Sequence, residues 1–185
     1  GKRVDIQPIL QQIRQGNRQA YAPIVAHFQR PLFGYLGRMG LTQAQAEDLA
    51  QETFLRAWQA LAQYDPQQAA FSTWLFTIAH RLALNELARA ANKHEVVLHD
   101  DEATALDTTP SANALPLAQL EEHEQQQRLQ HALTRLPLAE RSALALTYSK
   151  GLDLKTVAQL EGCSEGTLKM RLHRAREQLR QWLGA

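Results

Sequence analysis

Residues 153–183 narrow the possible folds more than any other stretch of the chain. Leu154 to Glu161 is short and periodic, with Val157, Ala158 and Leu160 on one side and Asp153 where a helix cap is favoured. Gly162-Cys163-Ser164 breaks the pattern, and Ser164 is a fitting cap for the next helix. Beyond it, Leu168, Leu172, Ala175, Leu179, Trp182 and Leu183 fall on one side of a 3.6-residue helix. Met170, His173, Arg174 and Glu177 point roughly the other way, and Lys169, Arg176 and Arg180 line one flank. A short helix, a tight glycine-containing turn and a longer basic helix make a helix-turn-helix, whose second helix enters the major groove while its cations hold phosphates. In isolation, the basic helix also fits a solvated amphipathic surface.

The segments before this unit are helical too. Leu117 to Leu136 forms one helix, and Pro137 begins another over Leu138 to Ser149. Near the start, Ile6, Ile9, Leu10 and Ile13 form one stripe and Tyr21, Ile24, Val25 and Phe28 a second, separated by Gly16-Asn17. Pro31 is placed to open a third helix. Thr42 and Gln45 have capping-box spacing ahead of a helix over residues 43–64, whose apolar stripe is Ala50, Phe54, Ala57, Trp58 and Leu61. Its opposite face gathers Asp48, Glu52, Arg56 and Gln59 beside Leu49 and Leu55. Charges bracketed by exposed leucines suit a protein-docking surface, and they equally suit ordinary solvated surface.

Tyr64-Asp65-Pro66 ends that helix, a polar loop runs to Phe71, and a further helix covers residues 72–91. The aromatics Tyr64, Phe71, Trp74 and Phe76 lie close in sequence, with Arg81, Arg89 and Lys93 downstream. Rings that stack or pocket unpaired bases, with cations tracking the backbone, form a single-strand site. The same cluster also fits a packed core, with Trp74 and Phe76 the first candidates for packing.

Charge divides the chain into three. The net charge of +1 conceals ten basic and six acidic residues over 1–93, none and eight over 94–127, and ten and five over 128–185. Two basic blocks therefore flank an acidic connector, as in a nucleic-acid binder whose linker is kept off the polyanion. Residues 95–117 lack sustained periodicity and carry two prolines. A flexible linker of that length spans about 25 Å on average and about 70 Å when stretched. Cys163 is the only cysteine, which excludes an internal disulfide or a Cys-rich zinc site and makes it a small packed residue in a turn. His94, His99 and His123 match no metal-ligand spacing. No apolar run approaches the roughly 20 residues of a membrane span, which predicts a soluble, intracellular protein.

Taken together, these blocks resemble the extracytoplasmic-function sigma factors of bacterial RNA polymerase. AEDLAQETFLRAW (46–58) resembles the family's polymerase-docking helix and AAFSTWLFTIAHRLALNEL (69–87) its promoter −10 segment. LPLAERSALAL (136–146) and GTLKMRLHRAREQL (166–179) resemble the two ends of its fourth conserved region. The resemblance implies an all-α protein with a region 2 helical bundle over 1–93, a flexible acidic linker over 94–118 and a region 4 helix-turn-helix over 119–185.

By position, it implies that Asp48, Gln51, Glu52, Phe54 and Arg56 meet the coiled-coil clamp of the β′ subunit, and that the β flap is a second contact. Tyr64, Asp65, Phe71, Ser72, Thr73, Trp74, His80, Arg81 and Asn85 would serve the melted −10 strand. Ser164, Thr167, Lys169, Met170, Arg171, His173, Arg174 and Arg176 would serve the −35 duplex. An anti-sigma factor is an implied partner; no catalytic residue, metal, cofactor or membrane insertion is implied, and the location is cytoplasmic.

The chain departs from the family pattern at His80, often Asn, and at Ala88, Ala90 and Ala91, where a basic run is usual. Lys155 and Thr156 stand where an acidic pair is common. Met170 replaces a small polar residue and offers only apolar contact, for instance to a thymine methyl. Two other readings remain open at this level: a duplex-binding repressor or activator that dimerises through its N-terminal helices, and, more remotely, a helical hydrolase using His80 and Glu86.

Overall fold

The computed structural model describes residues 5–96 and 116–184, which form eight α-helices. Four belong to the N-terminal block: α1 (Ile6–Arg14), α2 (Ala22–Arg38), α3 (Gln43–Gln59) and α4 (Phe71–Val96). Four belong to the C-terminal block: α5 (Leu117–Arg135), α6 (Leu138–Thr147), α7 (Leu154–Glu161) and α8 (Glu165–Leu183). Short 3₁₀ turns at Arg18–Tyr21 and Leu61–Gln63 lead into α2 and out of α3. The expected linker lies largely outside the described residues, as does His99.

Local chemistry sets the helix starts. The Thr42 hydroxyl accepts from Gln45 N at 3.2 Å while Thr42 N donates to Gln45 Oε1 at 2.9 Å, completing the capping box of α3. Asp153 Oδ1 accepts from Thr156 N at 2.8 Å, and that bond to the ionised form holds its carboxyl below the usual carboxylate range. Gly162, at φ 65°, ends α7 in the left-handed conformation that a side chain would resist.

Pro31 corrects the sequence reading. It lies inside α2 rather than opening a helix of its own. The interruption removes one backbone bond and crowds the preceding turn, but Ile24, Phe28, Leu32, Tyr35 and Leu36 are buried along one face on both sides of it. Burying such side chains contributes about 1.5–3 kcal/mol each, enough to carry the helix through.

The two blocks are packed on one another, not held apart. Leu133, Leu136, Leu144 and Leu146 of the C-terminal block join Ile24, Leu32, Leu36 and Met39 of the N-terminal block in one continuous apolar core. No helix of the described residues is long and apolar enough to cross a membrane.

Candidate nucleic-acid and protein interfaces

In α8, Leu168, Leu172 and Ala175 are buried against α6 and α7, so the opposite face looks outward. Lys169, Met170, His173, Arg174 and Arg176 are all exposed there, Met170 by 56% despite its apolar side chain. Ser164 and Thr167 are exposed too, but their hydroxyls are engaged: Ser164 Oγ donates to Thr167 Oγ1 at 3.0 Å and accepts Thr167 N at 3.1 Å. Arg171 differs from its neighbours. It is half-buried and its charge faces Glu161, whose carboxyl is pushed up by burial and drawn back by the Ser142 hydroxyl and by Arg171. Arg171 sits between the buried and the exposed faces of α8, and helical periodicity alone does not separate it from its exposed neighbours.

The aromatic cluster at the start of α4 is largely core. Tyr64 and Phe71 are buried, and their rings meet edge-on at 5.4 Å, with Phe28 5.5 Å beyond Phe71. Trp74 is half-buried, 5.0 Å from Tyr64. Tyr64 also donates from its hydroxyl to Ala69 O at 2.9 Å, which closes the loop on itself. Both rings are turned into the core, where they fix the shape of the loop between α3 and α4. Asp65, Arg81 and Asn85 are exposed, and Ser72 and Thr73 are half-buried.

His80, expected near the mouth of this site, is buried instead, its Nδ1 2.8 Å from the Tyr35 hydroxyl. Desolvation lowers its pKa below the ordinary 6.5. A lowered pKa means the folded chain favours neutral imidazole, so the stability it contributes is present above about pH 6.5 and is lost as the pH falls through the folded value. Thermal melts at about pH 7.5 and about pH 5.5 should show a fall in Tm that is larger in the parent chain than in His80→Asn. Equal falls would remove His80 as the titrating group.

The face of α3 expected to dock a protein is built as a ridge. Asp48, Gln51 and Arg56 are exposed, Glu52 pairs with Arg56 at 2.9 Å, and Leu55 stands 50% exposed beside them. Phe54 is the exception: it is buried, because it belongs to the inward stripe with Ala50 and Ala57. It supports the ridge from behind.

Sequence reasoning missed the residues that join the two blocks. Arg38 Nη2 donates to Ala145 O and to Ser149 Oγ, both at 3.2 Å. Arg141 Nη1 donates to Met39 O at 2.9 Å, and Gln130 Nε2 to Gly37 O at 2.7 Å. The only available signal was that Arg38 and Arg141 each sit within an apolar stretch where a surface cation is out of place.

Comparison with known proteins adds to this geometry. The Sigma-70 region 2 profile matches residues 24–93 and the Sigma-70 region 4 profile matches residues 126–179. The chain is 30% identical to the ECF RNA polymerase sigma factor RpoE of Cereibacter sphaeroides, covering 97% of this chain and 95% of that protein. It is 28% identical to the ECF RNA polymerase sigma factor SigW of Bacillus subtilis, covering 94% of each. Among solved structures, CnrH in complex with the cytosolic domain of CnrY has a TM-score of 0.67 at 25% identity, covering 95% of each chain. The sigma factor RpoE of Bartonella quintana, solved with the anti-sigma factor NepR, has a TM-score of 0.68 at 22% identity, covering 89% of this chain and 97% of that one, and speaks to the fold alone.

Proposed function

The chain belongs to the extracytoplasmic-function sigma factors of RNA polymerase, and from that premise we propose how its parts divide the work of starting transcription. The N-terminal block, residues 1–93, docks on core polymerase through the α3 ridge of Asp48, Gln51, Glu52 and Arg56, with Phe54 behind it. The loop and first turns of α4 hold the melted −10 strand through Asp65, Ser72, Thr73, Trp74, Arg81 and Asn85. The C-terminal block, residues 119–185, anchors on −35 duplex through Lys169, Met170, His173, Arg174 and Arg176.

The observation that carries this reading is the pairing, on one chain, of a free basic helix face with an acidic, leucine-flanked ridge, each inside one of the two matched regions. The protein works in the cytoplasm as a specificity subunit and performs no chemistry itself. Unstacking a base costs a few kcal/mol, so a site that receives the flipped base converts strand opening into sequence recognition. An anti-sigma factor holds it inactive by covering one or both docking faces.

Pull-down of purified core polymerase tests the docking assignment. Asp48→Ala together with Glu52→Ala should weaken polymerase capture about tenfold or more and leave −35 duplex binding within about twofold. Glu52 and Arg56 form an exposed pair that contributes at most about 1 kcal/mol to stability, so misfolding does not confound the result. Failure of the parent chain to capture polymerase would sink the reading and favour a conventional repressor.

A further inference from the structure

α8 turns one large apolar side chain outward among polar ones. Met170 is 56% exposed, and Lys169, His173, Arg174 and Arg176 near it are exposed too. A single exposed apolar residue is ordinary on a protein surface. What singles out Met170 is the turn beneath it. Side chains of a helix slant toward its N-terminus and lie over the residues three and four places earlier. For Met170 those residues are Thr167 and Gly166.

A Cβ placed on Gly166 would meet only the Ser164 hydroxyl within 4 Å, at 3.9 Å, so the space above this glycine is open. Gly166 has no positive φ, and alanine is the better helix former, so the backbone does not require glycine there. The Thr167 hydroxyl is held by Ser164 at 3.0 Å, which leaves its methyl as its apolar contribution. Leu168 and Leu172, buried on the opposite face, keep α8 from rotating this turn out of position. We propose that Met170, the Thr167 methyl and the bare backbone of Gly166 bound a recess for the 5-methyl group of one thymine in the −35 duplex. Met170 is thereby a specificity-determining residue of this chain.

The choice of base follows from the chemistry of a thioether. In the major groove thymine alone carries a methyl group, while guanine, adenine and cytosine present N7, O6, N6 or N4 groups that need hydrogen-bond partners. Methionine sulfur is a weak acceptor, so Met170 laid against those groups would strip their water without replacing it. Against a methyl it removes apolar surface from both partners. Met170 lies in the N-terminal half of α8, the part of a recognition helix that reaches base edges. Lys169 beside it and Arg174 one turn further on carry donors that suit guanine or phosphate. The cations supply hydrogen bonds and charge, and Met170 supplies shape. The inference rests on the −35 assignment proposed for α8.

The test uses the full chain assembled with core polymerase. Selection from duplexes randomised upstream of the start site yields its −35 element. Fluorescein-labelled duplexes of that element then carry deoxyuridine in place of each thymine in turn, a change that removes only the 5-methyl group. At one position the replacement should weaken binding by the parent about fourfold, the worth of one buried methyl. In Met170→Ser the thymine and deoxyuridine probes for that position should bind alike, and Met170→Leu should keep the preference. A side chain that served only the fold would weaken every probe together.

Gly166→Ala separates the recess from the helix that carries it. Alanine fills the open space and favours the helix, so Tm should hold or rise while the preference for thymine over deoxyuridine disappears. An element without thymine, or one in which deoxyuridine is tolerated at every thymine, overturns the proposal and leaves the other groove contacts of α8 standing. A preference that survives Met170→Ser overturns the role of that side chain, and one that survives Gly166→Ala overturns the recess. A parent chain that binds all −35 sequences alike overturns the proposal through the −35 assignment, a failure seen as loss of all selectivity rather than of one methyl.

Discussion

Run-off transcription from a −35-dependent promoter falls about 5- to 150-fold in Arg174→Ala and, separately, in Lys169→Ala, the range for losing one base contact of about 1–3 kcal/mol. Both side chains are exposed on α8, and neither makes a hydrogen bond or ion pair among the described residues. Their cationic groups are therefore available to DNA, while Leu168, Leu172 and Ala175 fix the helix from behind. The two possible kinds of contact separate experimentally. Loss of a base contact relaxes selectivity at one promoter position, whereas loss of a phosphate contact weakens all sequences alike and lowers the salt slope by about one. Unchanged transcription and selectivity in both variants would refute the placement of α8 in the groove.

Leu168→Ala is expected to lower stability by about 2–5 kcal/mol, the range for deleting most of a fully buried leucine. Leu168 lies one residue before Lys169 and is wholly enclosed in the core that joins α6, α7 and α8. Against a typical domain stability of about 5–15 kcal/mol, that loss leaves the helix-turn-helix marginal. The urea midpoint should drop, and −35 binding should fall in step with the folded fraction. Leu168→Met, of similar volume, should stay within about 1.5 kcal/mol of the parent and retain DNA binding. A midpoint unmoved by Leu168→Ala would show that the block does not depend on this contact.

How legible each feature is in the sequence depends on how far along the chain its cause acts. The caps of Thr42, Asp153 and Ser164 are decided within three residues of themselves, and each is made as expected. Pro31 misleads because its own preference is local while the burial that overrides it is spread along the whole of α2. Phe54, Tyr64 and Phe71 fall within stretches that resemble functional motifs, yet their rings are buried; sequence position marks the motif and not the side of it that faces solvent. His80 is of the same kind, since its depth is set by Tyr35 on another helix. Arg38, Gln130 and Arg141 are least legible, because each reaches across to the other block for a main-chain carbonyl 93 to 107 residues away, and a carbonyl has no sequence signature.

The choice of carbonyls rather than carboxylates as acceptors for Arg38 and Arg141 bears on how the protein responds to its ionic surroundings. DNA binding releases counterions, so it weakens steeply as salt rises. A half-buried guanidinium held by helix-end dipoles displaces no counterion from its acceptor and is screened far less. The seam between the two blocks and the proposed contacts of α8 with DNA therefore respond to salt to different degrees. Rising ionic strength weakens the proposed DNA contacts of α8 while leaving the seam between the two blocks nearly unchanged, without any change in the protein's own charge.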